Sequence, residues 1–307
     1  MAHLMRWRVV LATMLLAVTM PSAAATDDRL RIGIKGDIAS LDPHVLNETL
    51  TLGVLSNVME GLVRHDADLK LRPGLATRWE TLSPLHWRFH LRKGVRFHDG
   101  TPFTASDVLF TFERVRKPRS QMRSRIPDGA RIIAVDAHTV DVHLEKPNPI
   151  LPANWESLLI MSRPWAERHG LADPGAVPQS APDLPANGTG PYQVISHRTG
   201  QVMHFERHTM WWGEARGLAT RVDLFTLANA QTRTAALLSG QVDLIVPAPV
   251  QDLARISATD GFKTVTGAEL RTIFLNMDQM REELVGAPPA RRTRSRTEGC
   301  GLSLIHI

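Results

Sequence analysis

Residues 69–115 read LKLRPGLATRWETLSPLHWRFHLRKGVRFHDGTPFTASDVLFTFERV. Trp87, Phe89 and Leu91 alternate with His86, Arg88 and His90. That two-residue period predicts a strand with one face on a core. Residues 95–97 predict a second short strand, and His98-Asp99-Gly100-Thr101-Pro102 supplies the turn after it. Thr104-Ala105-Ser106-Asp107 fits a capping box and opens a helix with Val108, Leu109, Phe112 and Val115 on its apolar face. Strand, turn and helix follow one another within one stretch, so the chain mixes both element types.

The same pattern continues outward. Upstream, Leu30, Ile32 and Ile34 alternate with polar residues as a half-buried strand, which Gly36-Asp37 breaks. Leu41-Asp42-Pro43-His44 turns into a helical pattern over 49–59, with Leu52, Leu55, Val58 and Met59 on one side and Gly61 as its stop. Downstream, Thr139, Asp141, His143 and Glu145 alternate with Val140, Val142 and Leu144, and Pro147 closes that strand. Residues 173–185 read as a loop. Residues 192–197 and 202–207 form a hairpin turning near Thr199-Gly200, and 221–226 is another strand. Asn229 can cap a helix over 230–239 that Gly240 ends, with strands at 242–246 and 271–277 beyond. The fold class is α/β with mixed β-sheets and helices.

The two ends read differently. Arg6 and Arg8 precede the apolar run VVLATMLLAVTM, and Ala23-Ala24-Ala25 offers a cleavage site, so 1–25 is expected to be a signal peptide. The run is shorter than the roughly 20 apolar residues that span a bilayer. After Gly286 the text is APPARRTRSRTEGCGLSLIHI, without apolar periodicity and with the only cysteine, Cys300. Its last residues read as out-of-frame translation, and from about Ala287 the chain is expected to be irregular. Of the formal net charge of +5, Arg6 and Arg8 supply +2 and the segment from Gln279 supplies another +2, which leaves +1 for the body. The body has no basic field to recruit nucleic acid, and no cysteine for disulfides or thiolate ligands.

Residues 69–115 closely resemble the signature region of the family 5 extracellular solute-binding proteins, the dipeptide, oligopeptide, nickel and glutathione binders of ATP-driven importers. NVMEGLVRHD at 57–66, GTGPYQVISH at 188–197 with WWGEA at 211–215, and TRTAALLSGQVDLI at 232–245 resemble further blocks in the same order. The resemblance implies a periplasmic-binding-protein-like fold whose lobes close on a solute. Residues 26–278 would be lobe I, with a subdomain inserted at about 80–185. TIFLNMD at 272–278 would be the strand crossing to lobe II. Residues 279–307 would hold the start of lobe II and then a non-native tail, leaving lobe II largely missing. The implied function is a periplasmic, functionally monomeric binder of short peptides or similar small polar solutes. It would serve the ABC permease subunits of the inner membrane and need no cofactor. A nickel-chelate or glutathione carrier is the alternative within the class. A secreted hydrolase, or a nucleic-acid binder resting on the arginine tail, lies outside it.

The residues themselves offer no catalytic motif: G-x-S-x-G, H-E-x-x-H and the Walker lysine loop are all missing. Gly188-x-Gly190 does not open a helix after a strand, so it reads as a turn rather than a phosphate cradle. No metal site is expected. His86 and His90 share a strand face but have Arg88 between them, His138 and His143 fall on opposite faces, and His204 and His208 lack an evident partner. Solute contacts are expected from His44 and Asn47 after the first strand, from Met161 and Arg163 after an apolar run, and from Arg271 before the crossing strand. Arg163 could fork onto a carboxylate. Trp211 and Trp212 are expected to pack, and Asp107 and Asp243 to be structural.

Overall fold

The structure is a computed structural model that describes residues 28–176, 186–214 and 219–267, with the backbone at 277–278 and 301–302. The expected signal peptide, most of the Pro-rich loop, Arg271 and most of the expected crossing strand lie outside the described residues. In chain order the elements begin with β1 (Arg29–Ile34), α1 (Thr49–Leu55), β2 (Val63–His65), β3 (Leu71–Pro73), β4 (Ala76–Ser83) and β5 (His86–Leu91). They continue with α2 (Ala105–Val115), β6 (Arg131–Asp136), β7 (Thr139–His143), α3 (Leu151–Asn154), α4 (Arg163–Arg168), β8 (Tyr192–Arg198) and β9 (Val202–Arg207). Last come β10 (Arg221–Thr226), α5 (Ala230–Leu238), β11 (Leu244–Val246), α6 (Leu253–Ser257), β12 (Met277–Asp278) and β13 (Gly301–Leu302). The chain forms two compact units, Met1–Leu253 and Ala254–Ile307. In the second, β12 pairs antiparallel with β13, so the part of the tail that is described is paired rather than irregular.

Two sheets organise the first unit. A five-stranded sheet has the order β11-β1-β10-β9-β8. Its β1 is parallel to both neighbours, β10–β9 and β9–β8 are antiparallel, and β8–β9 is the expected hairpin. Its core gathers Ile34, Ile38, Leu55, Val58, Met59, Tyr192 and Phe205. A four-stranded antiparallel sheet has the order β4-β5-β7-β6. Trp87 sits opposite Val142 and Phe89 opposite Val140, which builds the buried face the alternation predicted. α2 joins two layers. Val108, Phe112 and Val115 enter the large core, and Phe110 packs with Met161, Trp165 and Ala166. Residues 95–97 make only an isolated bridge from Arg96 to Pro102, not a strand.

Several local devices differ from the sequence reading for identifiable reasons. α1 stops at Leu55, four residues short: the Asn57 and Val58 amides turn to the carbonyls three residues back, Val54 and Leu55, and the Gly53 carbonyl instead accepts from Ser56 Oγ and Asn57 Nδ2. His204, expected to lack a partner, places Nδ1 2.6 Å from Asp223 Oδ1 in the adjacent strand, a neighbour visible only once β9 and β10 are paired. Asp243 is structural, as expected, and is held by the Arg31 guanidinium.

The sequence blocks meet at one junction. The half-buried Glu60 carboxylate accepts from Thr189 Oγ1 at 2.8 Å, Trp212 Nε1 at 2.7 Å and Trp211 Nε1 at 3.4 Å. Arg92 stacks over Trp212 at 3.9 Å. Burial pushes the Glu60 carboxyl upward, against the pull of those donors. His98 Nδ1 accepts from Gly188 N and its Nε2–H donates to the Gly190 carbonyl. A Cβ at either glycine would collide with the Asn57–Val58 backbone, so the Gly-Thr-Gly turn is a close-approach device.

Candidate ligand-facing edge of the mixed sheet

β1, β10 and β11 run parallel, so their C-terminal ends lie along one edge. From β1 the chain departs toward α1, whereas β10 passes through α5 to β11 on the other side of β1. Open α/β sheets take ligands outside the C-terminal ends of their strands, at such a switch point.

The segment that leaves β1 is tied down at both ends. Asp37 accepts from Gly200 N at 2.7 Å, in the β8–β9 turn, and from Thr226 Oγ1 at 3.2 Å, at the end of β10. Asp42 accepts both Arg114 Nη1 and Nη2, at 2.8 and 2.6 Å, and Gly175 N at 2.8 Å. Between these anchors Ile38 is buried and Ala39 is exposed. Among the described residues, no backbone–backbone hydrogen bond engages residues 36–41. Their amides and carbonyls are the groups an extended ligand backbone could meet.

Two buried side chains fix this edge from below. Arg233, only 3% exposed, donates to the carbonyls of Leu227, Ala228 and Pro247, at the ends of β10 and β11. Arg114 Nη1 also donates to His44 Nδ1 at 2.7 Å, so His44 carries its proton on Nε2 and donates it to the Leu159 carbonyl at 2.9 Å. Burial and the adjacent Arg114 charge push the His44 pKa down to about 4. Burial alone would raise the Asp42 carboxyl, but the Arg114 hydrogen bonds and charge override it and hold it below its ordinary value. The result is a neutral imidazole wedged against an ion pair.

The four expected contact residues that are described differ in setting. His44 and Met161 are enclosed, at 0% and 2% exposed. Met161 packs with Phe110 and Trp165. Asn47 is exposed and accepts from Arg125 through Oδ1 at 3.4 Å. Arg163 begins α4, donates its backbone N–H to Asp107, and pairs its exposed guanidinium with Glu167 at 2.8 Å. Arg271 lies outside the described residues. Sequence reading missed Arg233 and Glu60 as organising groups. The available signal was a charged residue on an apolar stripe: Arg233 falls in line with Ala236 and Leu237, and Glu60 follows Val58 and Met59.

The set of groups at this edge is suited to holding a polar solute by hydrogen bonds and shape. Among the described residues no helix is long and apolar enough to cross a membrane.

Comparison with known proteins agrees with this geometry. Residues 70–296 match the family model for bacterial extracellular solute-binding proteins, family 5 Middle. The periplasmic oligopeptide-binding protein OppA of Haemophilus influenzae is 25% identical over 250 residues, covering 74% of this chain and 45% of its own length. The glutathione-binding protein GsiB of Pectobacterium atrosepticum is 25% identical over 280 residues, covering 89% of this chain and 52% of its own. The chain thus spans about half the length of these curated relatives. The solved structure of the periplasmic binding protein AgaA of A. tumefaciens R10 in complex with agropinic acid superposes with a TM-score of 0.66. The two are 27% identical, and the match covers 76% of this chain and 46% of that one. With the family model matched across most of its length and the same fold in a solved binding protein, the chain belongs to family 5 of the bacterial extracellular solute-binding proteins.

Proposed function

We propose that this protein is the periplasmic solute-binding component of an ABC importer. It captures short peptides or similarly sized polar solutes and hands them to the permease subunits of the inner membrane, acting as a monomer and without covalent chemistry. The observation that carries the reading is the irregular segment at 36–41. It lies between the Asp37 and Asp42 anchors at the switch point of the sheet, with backbone groups free of backbone partners among the described residues. Such a segment meets a peptide main chain by hydrogen bonds and leaves side-chain choice to neighbouring surfaces. In this reading His44 is a positioning residue, set beneath the segment rather than touching solute, while Asn47, Arg163 and Arg271 are contacts to be tested. The periplasmic location rests on the signal-peptide pattern at the N-terminus and on periplasmic relatives.

The test is calorimetry on the chain joined to whatever its gene encodes downstream, against mixed di-, tri- and tetrapeptides, reduced glutathione and nickel–histidine. Saturable peptide binding that weakens about tenfold in Asp37→Ala supports the proposal, a change of about 1.4 kcal/mol. Binding confined to glutathione or nickel–histidine transfers the same site to that cargo. Steady hydrolysis of the peptides would replace it with an enzyme.

A further inference from the structure

The outer face of the four-stranded sheet brings together residues that the sequence keeps apart. Antiparallel register sets His86 on β5 opposite His143 on β7, and Arg88 opposite Asp141. The two imidazoles stack with centroids 4.1 Å apart and planes inclined by 29°. Arg88 donates to both Asp141 oxygens at 2.7 Å. His86 Nε2 lies 3.0 Å from Asp141 Oδ2. That nitrogen is shielded from solvent and makes no hydrogen bond, so the contact has the distance of one without its geometry. A ring nitrogen and a carboxylate oxygen about 3.3 Å apart is the spacing of two ligands on one tetrahedral ion with bonds of about 2.0–2.1 Å. One ligand atom from each of His86, Asp141 and His143 lies within 4.8 Å of the others.

We propose that His86, Asp141 and His143 form a binding site for a borderline divalent metal ion of the Zn2+ class. Two imidazoles and one carboxylate suit that class, and the fourth position is left to water or an incoming ligand. Both histidines are partly exposed, which gives an ion a way in. Arg88 fixes the Asp141 carboxylate by donating to both of its oxygens. Arg88 is also the outer group that orients a ligating carboxylate. Its charge and that of Arg131, opposite His143 on β6, weaken the site, and Glu80, opposite Arg88 on β4, offsets part of this. The cross-strand pairing is what a reading of His86 and His90 along one strand missed.

Zn2+ titrated calorimetrically into the chelator-stripped full chain at neutral pH tests the site. One equivalent is expected, weakened at least tenfold in His86→Gln and in His143→Gln. His90→Gln is expected to bind like the parent, because His90 pairs with Glu80 at 2.7 Å outside the cluster. X-ray absorption at the zinc edge on the intact protein needs no substitution and is expected to show two imidazole ligands. The proposal is overturned if the intact chain takes up no zinc, if both glutamine variants bind undiminished, or if the spectrum lacks imidazole scattering.

Discussion

Arg114 shows how a single side chain carries the geometry of the edge. It is 1% exposed and holds Asp42, His44 and the carbonyls of Leu171 and Asp173. Arg114→Met keeps much of the volume but leaves the largely buried Asp42 carboxylate without its cation. Removing one partner of a buried pair typically costs about 3–5 kcal/mol, and urea unfolding should show a loss of that size. Two histidines, one buried and one half-buried, set a pH dependence. His44 and His98 are each pushed down to about 4, in both cases mainly by burial. Their folded pKa values lie below the unfolded value of 6.5. The unfolded chain therefore binds protons that the native protein refuses as pH falls from 6.5 toward 4. Stability is complete above that window and declines through it, by up to about 3 kcal/mol for each histidine at 1.36 kcal/mol per unit. Urea midpoints at pH 7.5 and 4.5 measure the decline, and His98→Asn should flatten it. A midpoint that does not move with pH would contradict this account of the two imidazoles.

At the scale of elements, Asp107 does more than the capping box predicted. Its Oδ2 accepts from the Thr104 N–H at 2.8 Å at the start of α2, and its Oδ1 accepts from the Arg163 N–H at 2.8 Å at the start of α4. One carboxylate thus closes two helix ends. Thr104→Ala should lose about 1 kcal/mol, the usual worth of a cap. Asp107→Ala should lose roughly 2–4 kcal/mol, since two charge-assisted bonds disappear together. Thermal melting of the two variants side by side checks the ratio, and equal losses would mean the α4 bond contributes nothing. The period-two text of Trp87, Phe89 and Leu91, the Thr104–Asp107 box, the Asn229 cap and the Thr199-Gly200 hairpin turn are local signals, and each is found as read. The Asp107 bond to Arg163, the His204–Asp223 pair and the meeting of Thr189, Trp211 and Trp212 on Glu60 depend on strand order and layer contact. No window of sequence contains those distances. The candidate edge was legible only as the break after β1; its anchors, Asp37 on the hairpin turn and Arg233 at the strand ends, required the fold.

For the whole molecule, a solute-binding protein works by differential affinity. The solute touches both lobes only when they are closed and so shifts the open–closed balance. The chain matches about half the length of its curated relatives. If the solute's contacts divide evenly between two halves, a micromolar complex of about −8 kcal/mol would leave about −4 kcal/mol to one half, which is millimolar. The 307-residue chain should therefore bind a peptide roughly a thousandfold more weakly than a full-length relative that holds the same peptide at micromolar affinity. Calorimetry on both proteins with one peptide measures the ratio directly. Equal affinity would mean that residues 36–41 and their neighbours already enclose the solute, and that closure of a second lobe adds nothing to capture. A ratio near the expected value would place half of the binding free energy on the edge described here. The Asp37 and Asp42 anchors then matter because a half-site with few contacts depends on their being held in place before the solute arrives.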